Sequence, residues 1–257
     1  MFAVVAVPRL LAAAELPRDR WPELLDEDKD WKLFEAAVRQ ADAEPGNYEI
    51  RLRAAQLGFY VWRLEKKDLK KRLNVAKTVA KVSQQAVALR PDHPGGYHWL
   101  GAGIGMIGLT QGVLNSLMLV PQVRTAFEKS IAINPGWLHG SALAQLSRLY
   151  TMVPGFPLSI GNADKAEELA RQAIKEDPNY VLQRLYLADI LWMEGKNTAA
   201  LKELDTLDNL KVNDELMYFA LEVSKVKAEE LRKLIKSGAK RDRFYDVLSD
   251  IQPGIVH

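Results

Sequence analysis

Four prolines recur along the chain at a nearly constant spacing. Pro45, Pro91, Pro135 and Pro178 are separated by 46, 44 and 43 residues. Each proline ends an amphipathic stretch, and these stretches cover residues 36–44, 75–90, 123–134 and 163–177. Repetition at this period is typical of arrays of paired helices, in which no unit can bury its apolar face without its neighbours. The spacing therefore predicts an all-α chain that functions through a surface or a groove.

The unit after Pro178 is the clearest repeat. A helix is predicted over residues 181–194, a turn at Gly195 and a returning helix over 198–207. Gly195, Ala200 and Leu204 stand where a tetratricopeptide repeat has its turn glycine, its small packing residue and its bulky packing residue, and the unit resembles that repeat. The predicted fold class is all-α, a helical-repeat (tetratricopeptide-like) array of paired antiparallel helices.

Two central repeats exceed the usual length of about 34 residues by about ten. The extra length predicts extended insertions between paired helices, at residues 109–121 and 153–162. Further helices are predicted over 21–44, 48–64, 69–89 and 214–237, with Trp31, Phe34, Ala37 and Val38 on the buried face of the first. Residues 15–257 are predicted to form one helical-repeat domain, with a repeat core at about 48–210 and capping helices at about 213–250.

The charge balance and the absence of cysteine exclude several functions. Lysine and arginine total 35 against 33 acidic residues, for a net charge of +2, so no concentrated basic field favours nucleic acid as a partner. A chain without cysteine has no disulfide, thiol nucleophile or thiolate metal site.

The first 14 residues form an apolar run, MFAVVAVPRLLAAA, that closes in small residues. It lacks a basic start and is interrupted by Arg9, so it is interpreted either as a truncated secretory signal or as a disordered start. Cleavage after Ala14 would give an exported, periplasmic protein, and the alternative location is the cytoplasm.

Residues 93–163 carry only four charged side chains, those of Arg124, Glu128, Lys129 and Arg148. Such a block is either a buried hub or the lining of an apolar cavity. The opening helix of each pair lines the concave side of a solenoid, so residues 97–111 and 137–152 are expected to face the groove. The candidate lining residues for an apolar channel are Tyr97, His98, Ile104, Gly105, Met106, Trp137, Arg148, Met152, Phe156 and Leu158.

Within this block, Arg148 is the single candidate anchor for a carboxylate. Gly101, Gly105, Gly108 and Gly112 are spaced by three or four residues and predict one smooth stripe on a helix face, suited to close packing or to a ligand. Interspersed polar and glycine residues argue against a membrane-spanning helix here, although the charge-free run is long enough.

Several motifs of this block carry a family resemblance. They are Tyr97-His-Trp-Leu-Gly, Leu109-Thr-Gln-Gly, the stretch 123–135, and Pro154-Gly-Phe-Pro-Leu-Ser-Ile-Gly. Over about residues 48–210 the chain resembles the T component of tripartite ATP-independent periplasmic (TRAP) transporters. The resemblance implies an exported module that docks the substrate-binding P component, forms a homotrimer and takes an apolar or amphipathic small molecule in a pore.

The chain departs from this family because it has no cysteine for a lipid anchor. Mitochondrial regulators of microtubule dynamics share similar repeat patterns, so the alternative is a tetratricopeptide-like protein–protein scaffold with a filled core.

The sequence does not predict an enzyme. None of the four histidines pairs with another at the i, i+4 spacing of a metal site, and no HExxH or GxSxG motif occurs. We expect neither catalytic residues, nor a metal, nor a cofactor.

Overall fold

A computed structural model describes residues 27–210 and 215–240. Within these residues the chain forms ten helices and one isolated bridge, between Gly155 and Gly161. The helices are α1 (Glu27–Ala43), α2 (Tyr48–Leu64), α3 (Leu69–Leu89), α4 (Pro94–Gln111), α5 (Val113–Ile133), α6 (Trp137–Met152), α7 (Ala163–Glu176), α8 (Val181–Met193), α9 (Asn197–Asp208) and α10 (Glu215–Lys236). The predicted all-α helical-repeat array is confirmed. The predicted signal segment 1–14, the first residues of the predicted first helix and residues 241–250 lie outside the described ranges.

The described helices belong to two compact units. The first unit is Glu27–Pro178, with α1 to α7, and the second comprises residues 179–210 and 215–240, with α8 to α10. In the first unit each helix packs against the next in sequence, which makes α2 and α3, α4 and α5, and α6 and α7 antiparallel pairs. In the second unit α8 packs on α9, and α10 packs on both.

Capping residues set several helix boundaries. The Asn47 side chain accepts a hydrogen bond from the Ile50 amide at 3.1 Å, which starts α2. Asp68 accepts from the amides of Lys70 and Lys71 at 2.9 and 3.0 Å, which starts α3. These bonds satisfy amide groups that have no partner within the helix. Both helices begin and end at the predicted residues.

A buried arginine closes the end of α1. Arg51 is 4% exposed, and its Nη1 donates to the carbonyl oxygens of Ala41 at 2.8 Å and Glu44 at 3.4 Å. A cation at a helix C-terminus is favoured by the helix dipole and satisfies carbonyl groups that lack intrahelical partners. Arg51 therefore joins α2 to the end of α1.

Burial follows the proline repeat. Ala86, Ser130 and Ala173 stand five residues before the last three repeat prolines, and all three are fully buried. Only a small side chain fits where two helices cross closely. On the first predicted helix face, Phe34 and Ala37 are buried, and Trp31 and Val38 pack partly against the same core, as predicted.

The glycines of α4 form two rows. Of the predicted stripe, Gly101 and Gly108 pack against α5, whereas Gly105 meets open space and Gly112 follows the helix. A Cβ atom at Gly96 would lie 2.9 Å from the Val87 nitrogen, and one at Gly103 would lie 2.7 Å from the Ala80 nitrogen, both in α3. On the other side, Cβ atoms at Gly101 and Gly108 would meet Phe127 and Ser116 of α5 at 3.0 Å. The seven-residue spacing within each row is two helical turns, so α4 packs closely against both neighbours.

The predicted insertion at residues 109–121 is wrong. These residues extend α4 and α5, which meet at the single residue Gly112 with φ +92°. Pro121 lies inside α5 rather than before it, although proline usually ends a helix. The second predicted insertion, residues 153–162, does connect α6 to α7 without a helix of its own.

The second unit confirms the tetratricopeptide-like packing of its hairpin. Gly195 has φ +74°, a left-handed conformation that glycine adopts without strain, and it turns the chain between α8 and α9. Ala200 and Leu204 are fully buried, as the repeat pattern predicted. Arg232 of α10 is 3.4 Å from Asp205 of α9 and forms an ion pair with Asp208. These contacts hold α10 against the hairpin.

Candidate functional site

A cleft of about 490 Å³ opens on the first unit. Its walls come from the end of α1, the start of α2, the second turn of α4 and the start of α6. The lining residues are Gln40, Asn47, Glu49, Ile50, Leu52, Arg53, Gln56, Trp99, Trp137 and Leu138. The opening helices of three successive pairs thus meet at one site, where a repeat array is expected to place its concave binding surface.

Aromatic rings form a continuous cluster beneath this cleft. The Tyr48 ring lies 5.1 Å from the His93 ring, and the His93 ring lies 6.0 Å from that of Trp137. His98 lies 5.2 Å from Trp137 and 4.9 Å from Trp99, measured between ring centroids. Edge and tilted contacts at these distances are favourable aromatic geometry. The two tryptophans that line the cleft are therefore held by rings behind them.

Gly95 permits the close approach of these rings. A Cβ atom there would lie 2.8 Å from Leu52 Cδ1, 3.0 Å from Trp137 Cζ2 and 3.1 Å from His93 Nδ1. Three side chains would have to move to admit even alanine. Glycine at this position thus fixes how tightly α4 packs against α2 and α6 under the cleft.

His93 and Tyr48 are both neutral at pH 7. The Gly95 amide donates to His93 Nδ1 at 3.1 Å, so this nitrogen is an acceptor and the Tyr48 hydroxyl, 2.6 Å away, donates to it. Burial lowers the pKa of His93, and the charge of Arg90 lowers it further. Burial also raises the pKa of Tyr48 to about 12. The pair is a neutral structural hydrogen bond rather than an acid–base couple.

His98 is buried more deeply than His93. It is 3% exposed, and its ring also lies 5.8 Å from that of Phe127. Burial lowers the pKa of His98 to about 3, and no described group bonds its Nδ1. An imidazole in this setting is neutral and part of the core.

The rim of the cleft offers two polar side chains for a ligand. Arg53 and Gln56 lie one turn apart on α2, both exposed, and neither pairs with another described residue. The other polar rim residues are engaged within the protein. Glu49 lies 3.7 Å from Arg90, and Gln40 and Asn47 donate to Glu44 at 2.9 and 2.6 Å, hydrogen bonds that lower the pKa of Glu44.

A left-handed turn shapes the α6 side of the cleft. Leu138, His139 and Gly140 have φ values of 48°, 58° and 72°, which only glycine adopts without strain. His139 Nδ1 lies 2.7 Å from an Asp177 carboxylate oxygen at the end of α7, and this contact holds the turn. The turn places Leu138 beside Trp137 in the cleft wall.

The structure places the ten predicted channel residues in several environments. Of these ten, only Trp137 lines the cleft. His98 and Met106 are buried. Gly105 faces open space, because a Cβ atom added there would have no other atom within 4 Å.

The other predicted channel residues are partly or fully exposed. Tyr97, Ile104, Arg148 and Met152 are half-buried, and Phe156 and Leu158 are 93% and 78% exposed in the connection before α7. The structure brings His98 to Trp137, and Arg148 Nη2 lies 4.0 Å from Met152 Sδ. A shared apolar channel for all ten residues stays a prediction.

Sequence reasoning missed the α2 side of the cleft. Arg53, Gln56 and Leu52 lie before the charge-poor block that contains all the predicted lining residues. The repeat itself carried the missing signal, because residues 48–64 open the first pair and should face the same side as residues 97–111.

Two kinds of feature, membrane-spanning helices and metal-binding groups, are absent from the residues that the structure describes. In residues 27–210 and 215–240, no helix combines the length and apolar character needed to cross a bilayer. The same residues contain no group of three or more histidine, cysteine or acidic side chains arranged to hold a metal ion.

Comparison with known proteins finds a repeat family over part of the chain. The tetratricopeptide repeat family matches residues 158–222. The crystal structure of a thermophilic TPR protein from Thermus thermophilus is similar over 77% of this chain and 99% of its own, with 16% identity and a TM-score of 0.46. No curated protein matches the chain significantly. The described residues thus form a helical-repeat array, of which residues 158–222 resemble the tetratricopeptide repeat family.

Proposed function

We propose that this chain is a non-catalytic protein–protein scaffold that binds an extended segment of a partner protein in the cleft of the first unit. The observation that carries the proposal is the position of Arg53 and Gln56, exposed and unpaired within the described residues, beside Trp99 and Trp137. Helical-repeat arrays bind partners along concave surfaces of this kind.

The chemistry of the cleft suits a peptide that has both apolar and acidic groups. Trp137, Leu52 and Leu138 offer apolar surface for a side chain, and aromatic residues dominate the energy of protein interfaces. Arg53 offers a guanidinium for a carboxylate, and Gln56 offers an amide for peptide groups. A volume of about 490 Å³ falls within the ~300–1,000 Å³ of known ligand sites, which is room for a few residues.

The test begins with a selection from a phage-displayed random peptide library against the full chain. Affinities of the selected peptides are then measured by isothermal titration calorimetry for the natural protein and for Arg53→Glu and Trp137→Ala. We expect each variant to bind at least about tenfold more weakly, because one reverses the charge at the rim and the other removes an aromatic wall of the cleft. Lys77→Glu, an exposed charge reversal on α3 away from the cleft, is the control and should leave the affinity unchanged. Equal affinities for all variants would exclude the cleft as the site.

A second candidate is the finer function that the sequence resemblance implies. It is a periplasmic TRAP transporter accessory that docks a P component, forms a homotrimer and holds an apolar or amphipathic ligand. Its specific support is Gly105, where the charge-poor helix α4 faces open space. Gly105→Leu meets no atom within 4 Å at its Cβ, so it should preserve the fold while filling that space.

Native mass spectrometry of the purified chain tests this second candidate. A trimer would favour the transporter accessory. So would an amphiphile that the natural chain retains and that the Gly105→Leu and Phe156→Asp variants retain less well. An empty monomer would favour the scaffold.

A further inference from the structure

Large apolar side chains protrude at one end of the first unit. We name this set the apolar tips. It comprises Leu69, Leu109, Val113, Leu114, Met118, Phe156 and Leu158, of which Leu114, Met118, Phe156 and Leu158 are 81%, 76%, 93% and 78% exposed. Scattered exposed leucines are ordinary, whereas a concentration of this kind at one end of a unit marks an interaction site.

The tips share one end because the helices alternate in direction. In a row of antiparallel helices every second connection lies at the same end, and this end carries the connections 65–68, 112 and 153–162. A direct contact joins the first two, since Trp62 Nε1 at the end of α2 donates to Thr110 Oγ1 at the end of α4 at 2.9 Å.

Lysines flank the apolar tip Leu69 on the α2–α3 side. Residues 63–72 contain six basic and two acidic residues, and Lys66, Lys67, Lys70 and Lys71 are all exposed. The two acidic residues, Glu65 and Asp68, accept hydrogen bonds from nearby backbone amides. Glu65 accepts from the amides of Lys67 and Asp68, which lowers the pKa of Glu65, and Asp68 caps α3.

The remaining tips lie in stretches without charged residues. The tips on α4, on α5 and in residues 153–162 have no charged neighbour in sequence between His93 and Pro121 or between Leu149 and Ala163. Apolar burial is thus the larger driving force at this end, and the lysines set a preference for anionic partners.

We infer that this end of the first unit binds the surface of an anionic lipid bilayer, with the apolar tips among the acyl chains and the lysines at the headgroups. The tips stand on the ends of α3, α4 and α5 and on the connection before α7, so they come from several separate elements. A fluid bilayer adapts to an irregular surface of this kind. Apolar side chains flanked by lysine are the pattern of interfacial membrane binding.

A second copy of the chain fits this end less well. An isologous contact places the same patch of both copies together, and the two lysine-rich connections would face each other. Like charges across an interface oppose association. The cleft, in contrast, lies at the opposite end of α2, roughly 20 Å away at about 1.5 Å per residue, and stays accessible on a docked molecule.

Vesicle flotation with the full chain tests the inference. The probes are phosphatidylcholine vesicles with and without phosphatidylglycerol, at low and high salt. We expect flotation with the anionic vesicles, weakened by salt because the lysine contribution is screened. Leu114→Ser with Met118→Ser should lower the partition coefficient by roughly a hundredfold, because two largely exposed side chains lose their apolar burial in lipid.

Charge variants separate the contribution of the lysines to vesicle binding from that of the apolar tips. Lys67→Gln and Lys70→Gln should each lower the partition coefficient about fivefold on anionic vesicles. Lys77→Gln, exposed on α3 away from this end, is the matched control and should have no effect. Circular dichroism checks that each variant is folded.

Three results would overturn the inference. The first is absence of flotation with anionic vesicles, and the second is flotation that the Leu114 and Met118 replacements do not reduce. The third is an oligomer, detected by analytical ultracentrifugation, that these two replacements dissociate, because a second copy would then cover the tips.

Discussion

Gly103 of α4 lies against Ala80 of α3 so closely that a Cβ atom on Gly103 would be 2.7 Å from the Ala80 backbone nitrogen. The obstacle is backbone, which cannot rotate away as a flexible side chain can. Two turns earlier, Gly96 meets Val87 of α3 in the same way at 2.9 Å. The separation of α3 and α4 is therefore set by the absence of side chains at these two positions.

Gly103→Ala should lower the free energy of unfolding by about 1–3 kcal/mol, because the added methyl group overpacks the contact between the helices. Gly105→Ala is the matched control on the same helix. It meets open space and should raise the free energy of unfolding by about 0.5–1 kcal/mol through helix propensity. Urea denaturation followed by circular dichroism measures both values. Equal effects of the two replacements would contradict the close packing of α3 and α4.

Burial of His98 should make the protein sensitive to acid. The pKa of His98 is about 3 in the folded chain and about 6.5 when unfolded, so only the unfolded chain takes up a proton between these values. The contribution of the neutral, buried imidazole to the free energy of unfolding is therefore full above pH 6.5 and is lost as the pH falls toward 3. At pH 5 the free energy of unfolding should be lower by about 2 kcal/mol.

Replacement of His98 by leucine removes this titration. The free energy of unfolding of His98→Leu should therefore depend less steeply on pH between 7 and 5 than that of the natural chain. Denaturant titrations at several pH values provide the comparison, and identical slopes would show that the imidazole is accessible to solvent.

The bond between Arg51 and the end of α1 should contribute strongly to stability. Arg51→Met removes donors to the carbonyl oxygens of Ala41 and Glu44 and should cost about 1.5–3 kcal/mol. Arg53→Met, two residues later and exposed, should change stability by less than about 0.5 kcal/mol. Thermal unfolding of the two variants tests the difference. Comparable losses of stability would show that the cost comes from removing a positive charge and not from losing the hydrogen bonds to the end of α1.

Strain at the left-handed turn can be relieved. Leu138 has φ 48° and ψ 53°, so Leu138→Gly should raise the free energy of unfolding by about 0.5–1 kcal/mol, and Leu138→Val should lower it by about 1 kcal/mol or more. Leu33→Gly is the control. Leu33 is exposed to a similar degree but lies in the interior of the right-handed helix α1, so this variant should lower the free energy of unfolding by about 1 kcal/mol. A stability loss in Leu138→Gly as large as that in Leu33→Gly would argue against the strained turn.

Local signals made much of the fold predictable from the sequence. Asn47 and Asp68 cap the helices that follow them, and Pro91 stops the chain after α3, so α2 and α3 have the predicted bounds. The turn at Gly195 and the buried Ala200 follow from the repeat in the same way. In each case the physical cause acts within a few residues of the signal.

Two features of the fold that the sequence did not predict involve contacts between helices. Residues 113–122 have no charged face to reveal a helical period, and Pro121 suggested an end where the structure has a continuous helix. The glycines of α4 divide between two neighbours, a distinction that depends on three-dimensional packing. The repeat places α2 and α4 on the same side of the array, but it does not show which of their residues meet. Arg53 and Trp99 are 46 residues apart in sequence and come together only when α2 and α4 pack.

The packing of each helix on its sequence neighbour has a consequence for the folding kinetics of the first unit. Helix α4 contacts α2, α3, α5 and α6, whereas α1 packs mainly on α2. Chains whose contacts are local in sequence close only short loops as they fold, and they fold quickly. Amide hydrogens of α4, with helices on several sides, should exchange with solvent more slowly than those of α1, because local openings begin where contacts are few.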